Sequence, residues 1–241
     1  MKSKNVELIK DGKRSDGRNL DELREVKIEV GVIPVANGSA KVSFGNTIAI
    51  AAVYGARSLM PKFLQEDDKA LVRVRYNMAA FSTDTRKNPG MDRRSIEISK
   101  VLKDAIENSV FVNEYPRAVI DCYAEVISSD GSTRVTSLNA ISVALAMAGI
   151  SMKDLIVALT AGKANGKLVV DLNQLEDNYG EADISFAYLF ATDEIVLLQM
   201  DGNLTKEEFL KALNMLKEKA KIVYEKQKEA LKSYIEKQHD Q

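Results

Sequence analysis

Along the first third of the chain, apolar and polar positions change places every residue. Residues 27–33 and 39–44 alternate, residues 47–54 form an apolar, β-branched run, and residues 71–76 read Leu-Val-Arg-Val-Arg-Tyr. A period of two predicts strands. In the last of these runs Arg73 and Arg75 share one face and Val72 and Val74 the other. The period then lengthens. Ile98, Val101, Leu102, Ala105 and Ile106 fall at helical spacing and predict a helix over 95–110. A strand over 118–127 follows, then a polar turn over 128–134, then a second helix from about residue 137 to 148, stopped by Gly149.

The second half opens with a strand over 155–160, and Asn165-Gly166 signals a hairpin into residues 168–172. Residues 182–190 and 194–200 predict two more paired strands. Thr205-Lys-Glu-Glu208 has the form of a capping box and starts a long terminal helix. Its apolar stripe is Phe209, Leu213, Leu216, Ala220, Val223, Leu231 and Tyr234, which suits a core or subunit contact. The order of elements predicts an α+β fold with two halves, residues 1–150 and 151–241, joined near 149–153.

Composition narrows the chemistry. No apolar run reaches the ~20 residues that span a bilayer. The polar start, Met1-Lys-Ser-Lys-Asn-Val-Glu7, has no apolar leader region, and the single Cys122 sits in an apolar run. Both fit a reducing interior and a cytoplasmic location. Cys122 reads as a buried structural thiol. With one cysteine and one histidine, His239, no intrachain disulfide, His-based triad, or Cys-rich or His-rich metal site can be built. Catalysis falls to carboxylates, Lys, Arg, hydroxyls and backbone.

The formal charge is −1, which alone argues against a nucleic-acid partner, yet its distribution is uneven. Residues 57–94 hold nine Lys/Arg against five Asp/Glu, and residues 163–194 hold two Lys against seven Asp/Glu. One segment can attract phosphates and the other gathers carboxylates, although two solvated faces of opposite sign would look the same.

Three stretches could carry chemistry. Asp130-Gly-Ser-Thr-Arg134 lies between a predicted strand and a predicted helix. Such a turn leaves backbone N–H groups at a helix N-terminus, and the hydroxyls of Ser132 and Thr133 and the guanidinium of Arg134 add donors for phosphate. An N-cap beside a solvated arginine is the plainer alternative. The second stretch is acidic: Asp171, Glu176, Asp177, Glu181 and Asp183. Asp183 opens a strand, and the Tyr179-Gly180 turn can bring Asp177 to it, either to hold a divalent cation or to place a general acid. A wet acidic loop has the same spacing. The third is Arg86-Lys-Asn-Pro-Gly-Met-Asp-Arg-Arg94, where Arg93 and Arg94 stand at a helix start, against its dipole. That placement suits an external anion, or a solvated loop.

Together these stretches resemble the RNase PH family, and within it the RNase PH-like catalytic subunits of archaeal exosomes. The likeness also covers Gly12-Lys-Arg-Ser-Asp-Gly-Arg18, Gly38-Ser39-Ala40, Phe44-Gly-Asn-Thr47, Ala49-Ile-Ala-Ala-Val-Tyr-Gly55, Arg73-Val-Arg-Tyr76, Phe81-Ser-Thr-Asp-Thr-Arg-Lys-Asn-Pro89 and Glu176-Asp-Asn-Tyr-Gly-Glu-Ala-Asp183. The resemblance implies the RNase PH fold, two β-α-β-β-type halves of the ribosomal S5 domain 2-like kind, in a hexameric ring. It implies phosphorolysis: inorganic phosphate, the co-substrate, attacks the last 3′ phosphodiester of single-stranded RNA and releases a nucleoside diphosphate, reversibly. It places phosphate on Ser132, Thr133 and Arg134, the catalytic carboxylates and a divalent cation such as Mg2+ on Asp177 and Asp183, and RNA on Arg93 and Arg94. Lys62 falls at a basic loop residue near the ring's narrow entrance. The implied partners are a related inactive RNase PH-like ring subunit and RNA-binding cap proteins. Bacterial members carry two glycines in the phosphate turn, whereas Gly131 is followed here by Ser132, which favours the exosome branch over a homohexameric tRNA-trimming enzyme. An inert RNA-binding ring subunit is the other alternative, and such members tend to lack the acidic pair.

Overall fold

Two larger sheets hold nine of the described strands, and one helix lies between them. A computed structural model describes residues 8–90 and 92–239, the last by its backbone alone. The polar start at residues 1–7 and the side chain of His239 lie outside the described residues. A short hairpin, β1 (Ile9–Lys10) with β2 (Lys13–Arg14), precedes the first sheet. That sheet joins β3 (Val26–Val30), β4 (Gly38–Phe44), β5 (Thr47–Ser58), β6 (Leu71–Met78) and β7 (Ala118–Ser128) in the order β3-β4-β5-β7-β6. Among the described strands only β6 and β7 pair in parallel, and α1 (Arg93–Ser109) lies in the crossover between them. Arg73 and Arg75 point outward from β6, and Val72 is buried on the other face.

The second sheet has the order β11-β10-β8-β9, from β8 (Val157–Ala164), β9 (Lys167–Val170), β10 (Ala182–Leu189) and β11 (Glu194–Gly202), all antiparallel. Asn165 and Gly166 both adopt positive φ between β8 and β9, as a tight two-residue hairpin requires. The helix α4 (Lys206–His239) follows Thr205, whose hydroxyl accepts from Glu208 N while Glu208 accepts from Thr205 N, the reciprocal capping box. Leu216, Ala220 and Val223 of its stripe are buried, along with Ala212.

The central element is α2 (Thr133–Met147), which packs on β4 and β5 of one sheet and β8 of the other. It is buried nearly all round, as a helix between two sheets must be. Leu138, Ile141, Val143 and Leu145 join a single core with residues of both sheets. Gly38 allows this approach, because a Cβ there would lie 2.0 Å from the Ala144 carbonyl. Cys122 is buried in the same core, and burial pushes its thiol well above the ordinary range.

Two of the α-helices depart from expectation. The helix predicted from residue 137 begins at Thr133, because the polar residues ahead of it find internal partners: Tyr76 Oη donates to Thr133 Oγ1 and Thr136 Oγ1 donates to the Ser132 carbonyl. A short helix, α3 (Gln174–Tyr179), occupies part of the acidic stretch read as loop, capped by Asn173 and Glu176. Among the described residues, no helix is long and apolar enough to cross a membrane.

Candidate active site

The turn from β7 into α2 carries the anion-binding geometry. Gly131 and Ser132 both adopt positive φ, and a Cβ on Gly131 would strike the Asn173 backbone at 2.6 Å. Ser132 makes no side-chain cap, so the first-turn N–H groups of α2 keep no acceptor from it. Its hydroxyl is turned inward, donating to the Leu172 carbonyl at 2.7 Å and lying 2.6 Å from Thr160 Oγ1. The Ser132 hydroxyl is therefore engaged internally and is not the open donor expected of it. Thr133 is buried and lines the same space.

The acidic stretch separates by role. Asp171 and Glu176 are each 1% exposed and belong to a buried ionic clamp. Arg14 holds both carboxylate oxygens of Glu176 and donates to the carbonyls of Val170 and Asp171 at 2.6 and 2.7 Å. Arg24 grips Asp171 through Nη2, Nε and its own backbone N–H at 2.6, 3.0 and 2.7 Å, and reaches the Asp130 carbonyl at 2.6 Å. Arg18 adds a longer contact to Asp171 at 3.3 Å. Asp130 in turn accepts from Gln174 N at 3.1 Å. The clamp thus fastens the phosphate-type turn to the segment that carries Asp177. Glu181 accepts from Gly166 N in the neighbouring hairpin. Asp177, in the first turn of α3, and Asp183, second in β10, both line a cleft.

Two adjoining clefts meet at the α2 N-terminus. One, of about 480 Å³, is lined by Arg94, Thr133, Arg134, Asp177, Asp183 and Asp201 among others. The other, of about 440 Å³, is lined by residues 83–87 together with Arg94, Gln174 and Asp177 among others. Arg134 is largely buried, 3.5 Å from Glu97 and donating to Ser185 Oγ at 3.3 Å, and its Nε has no hydrogen-bond partner among the described residues. Burial lowers the Arg134 pKa and outweighs Glu97 and Asp183, which favour the charge, while Arg94 opposes it. A desolvated cation with a spare donor favours an anion beside it.

The structure brings Ser132, Thr133, Arg134, Asp177, Asp183 and Arg94 into one region. Arg93 is exposed and lines neither cleft, and Lys62 lies in an exposed 3₁₀ turn (Lys62–Leu64) that lines neither. Sequence reasoning missed Glu97, Ser185 and Asp201. Asp201 lies one residue past the strand predicted over 194–200; the structure extends that strand to Gly202 and sets Asp201 opposite Asp183. Among the described residues no group of three or more His, Cys, Asp or Glu is arranged to hold a metal ion. Two hard carboxylates still fit Mg2+, which keeps several waters and is commonly bound through one or two carboxylates plus substrate phosphates.

Comparison with known proteins gives a consistent picture. Models of the 3′ exoribonuclease family (RNase PH) match residues 22–151 for its domain 1 and 154–219 for its domain 2. The exosome complex component Rrp41 of Pyrococcus abyssi is 53% identical over 232 residues, covering 96% of this chain and 93% of that one. Rrp41 of Pyrobaculum arsenaticum is 52% identical over 234 residues, covering 97% and 95%. Among solved structures, rice Rrp46 superposes with a TM-score of 0.82 at 22% identity, covering 91% of this chain and all of that one. An Archaeoglobus fulgidus exosome with RNA bound to the active site gives 0.77 at 24%, covering 90% and 93%. At these identities the two structures bear on the fold alone.

Proposed function

Because this chain belongs to the 3′ exoribonuclease (RNase PH) family, we propose that it is the catalytic subunit of an exosome-type ring, with its reaction centred on the α2 N-terminus. The chain is a phosphate-dependent 3′→5′ exoribonuclease. A phosphate oxygen bonds to the last phosphorus of the RNA, the bond from that phosphorus to the 3′ oxygen breaks, and a nucleoside diphosphate leaves. The bond formed and the bond broken are close in energy, so the reverse tailing reaction runs as well.

Two anions must be brought together, which requires fixed positive charge and N–H donors around both. On this reading the attacking phosphate sits against the first turn of α2, held by the backbone at Ser132, by Thr133 and by Arg134. Arg94, shared by both clefts, grips the RNA phosphate, and Arg93, exposed one residue earlier, draws in the strand behind it. Lys62 meets RNA farther out. A divalent cation at Asp177 and Asp183, Mg2+ by the hardness of these ligands, would lower the cost of negative charge on the departing 3′ oxygen. These are contacts to phosphate and sugar, so little base preference follows. The Rrp41 relatives are named exosome complex components, which supports assembly into a complex; on this reading that complex is a hexameric ring with a related inactive RNase PH-like subunit, under RNA-binding cap proteins, in the cytoplasm.

The observation that carries this reading is the junction of the uncapped α2 N-terminus and Arg134 with Asp177 and Asp183 in one cleft. The test is to incubate oligo(A) with the assembled protein, with and without phosphate. Nucleoside diphosphates formed only with phosphate are expected. Monophosphates in phosphate-free buffer would overturn phosphorolysis.

A further inference from the structure

Tyr76 lies at the end of β6, entirely buried, and joins the two helices whose first turns frame the clefts. Its backbone N–H donates to Ser99 Oγ of α1 at 2.9 Å, and Ser99 in turn donates to the Ser95 carbonyl. Its hydroxyl donates to Thr133 Oγ1 of α2 at 2.9 Å. A threonine hydroxyl that accepts one hydrogen bond still has its own proton to place. With Tyr76 occupying one side of Thr133 Oγ1, that proton must point elsewhere, and Thr133 lines both clefts at the uncapped helix start.

We infer that Tyr76 is a positioning residue: by donating to Thr133 Oγ1 it orients the Thr133 hydroxyl as a donor to the attacking phosphate. The inference rests on the reading of residues 132–134 as the phosphate site. Burial keeps Tyr76 protonated beyond the ordinary tyrosine range, so the donor persists wherever the enzyme works. Without it, the Thr133 proton is free to turn toward other acceptors, and the phosphate loses a donor already in place.

The experiment compares Tyr76→Phe, Thr133→Val, the double variant and Arg134→Ala in the assembled enzyme. It reads the phosphate KM and kcat at saturating oligo(A), the Kd for oligo(A), and Tm. Tyr76→Phe should raise the phosphate KM about fivefold, the worth of roughly one hydrogen bond, with the RNA Kd unchanged. It should add nothing further in the Thr133→Val background. A purely structural tyrosine would lower Tm without a phosphate-specific, Thr133-dependent effect. An unchanged phosphate KM in Tyr76→Phe, beside a raised one in Arg134→Ala, overturns the Tyr76 inference alone. Equal effects of Tyr76→Phe with and without Thr133 overturn it too. If Arg134→Ala also leaves the phosphate KM unchanged, the phosphate reading of the turn fails, and the inference fails with it. Should Tyr76→Phe not fold, Thr133→Ser against Thr133→Val decides: the serine should keep the wild-type KM and the valine raise it, and equal values overturn the inference.

Discussion

Replacing Arg24 by methionine tests whether the buried ionic clamp holds the active-site turn. The change keeps an unbranched chain but removes the guanidinium. Asp171 Oδ1 then loses the 2.6 Å contact from Nη2, and Oδ2 keeps only the Arg24 backbone N–H and the longer Arg18 contact. The Asp130 carbonyl loses its 2.6 Å donor as well. Both side chains are almost fully enclosed, 6% and 1% exposed, so water cannot take over. Stranding one partner of such a pair costs about 3–5 kcal/mol. Total stability is on the order of 5–15 kcal/mol. For a chain of this size the melting temperature should fall by roughly 6–20 °C.

Urea unfolding of the isolated chain, followed by circular dichroism, measures the loss. Adding Asp171→Asn to Arg24→Met removes the stranded charge and should recover part of it. Asparagine is the suitable partner change because residue 171 has φ 59, a conformation that Asn tolerates and most side chains do not. A loss under about 1 kcal/mol for the single variant would show that the clamp is not the buried, strongly coupled pair it is taken to be. A double variant less stable than the single one would mean that the unpaired charge is not the source of the cost.

Asp177→Asn or Asp183→Asn should abolish turnover and leave RNA affinity unchanged or better, since a negative charge near the scissile phosphate is removed; single-turnover assays with a binding titration check this. Arg94→Ala should weaken RNA binding more than Arg93→Ala, because Arg94 lines both clefts and Arg93 neither. Each lost phosphate contact should flatten the log–log salt slope by about 0.7, and equal effects of the two would refute the distinction. Asp92 caps α1 by accepting from Ser95 N, and the Ser95 side chain, followed by that backbone bond, lowers its pKa from 3.8 to about 2. The lowered value means that the cap stabilises fully above pH 3.8 and is lost as pH falls through about 2. Asp92→Ala should therefore cost about 1 kcal/mol at neutral pH, and its difference from wild type should shrink in acid, as read by denaturation at several pH values.

The strands and long helices were legible because each keeps one period over many residues, and burial on one face enforces that period. The start of α2 was not. Thr133, Thr136 and Ser137 are polar, and a sequence pattern reads polar residues before an apolar run as turn. They are buried here, Thr133 against the hydroxyl of Tyr76 from another element and Thr136 against the Ser132 carbonyl one turn back. For α3 the local signal was present, Asn173 followed three residues later by Glu176, but five nearby carboxylates drew attention to charge over capping.

Charge counting failed for a related reason: it sums charges and cannot pair them. The arginines that neutralise Asp171 and Glu176 lie 147 and 162 residues earlier in the chain, so nothing local marks those two acids as structural and Asp177 and Asp183 as different. The motif at residues 12–18 carried family resemblance without any assigned chemistry, and its Arg14 and Arg18 supply two of the three clamp arginines. The segment before the first sheet thereby fixes Asp171 and Glu176, the stretch that leads into Asp177. The damage from Arg24→Met should therefore reach turnover at temperatures where the chain is still folded, because the turn proposed to receive phosphate and the helix that carries Asp177 share one buried fastening.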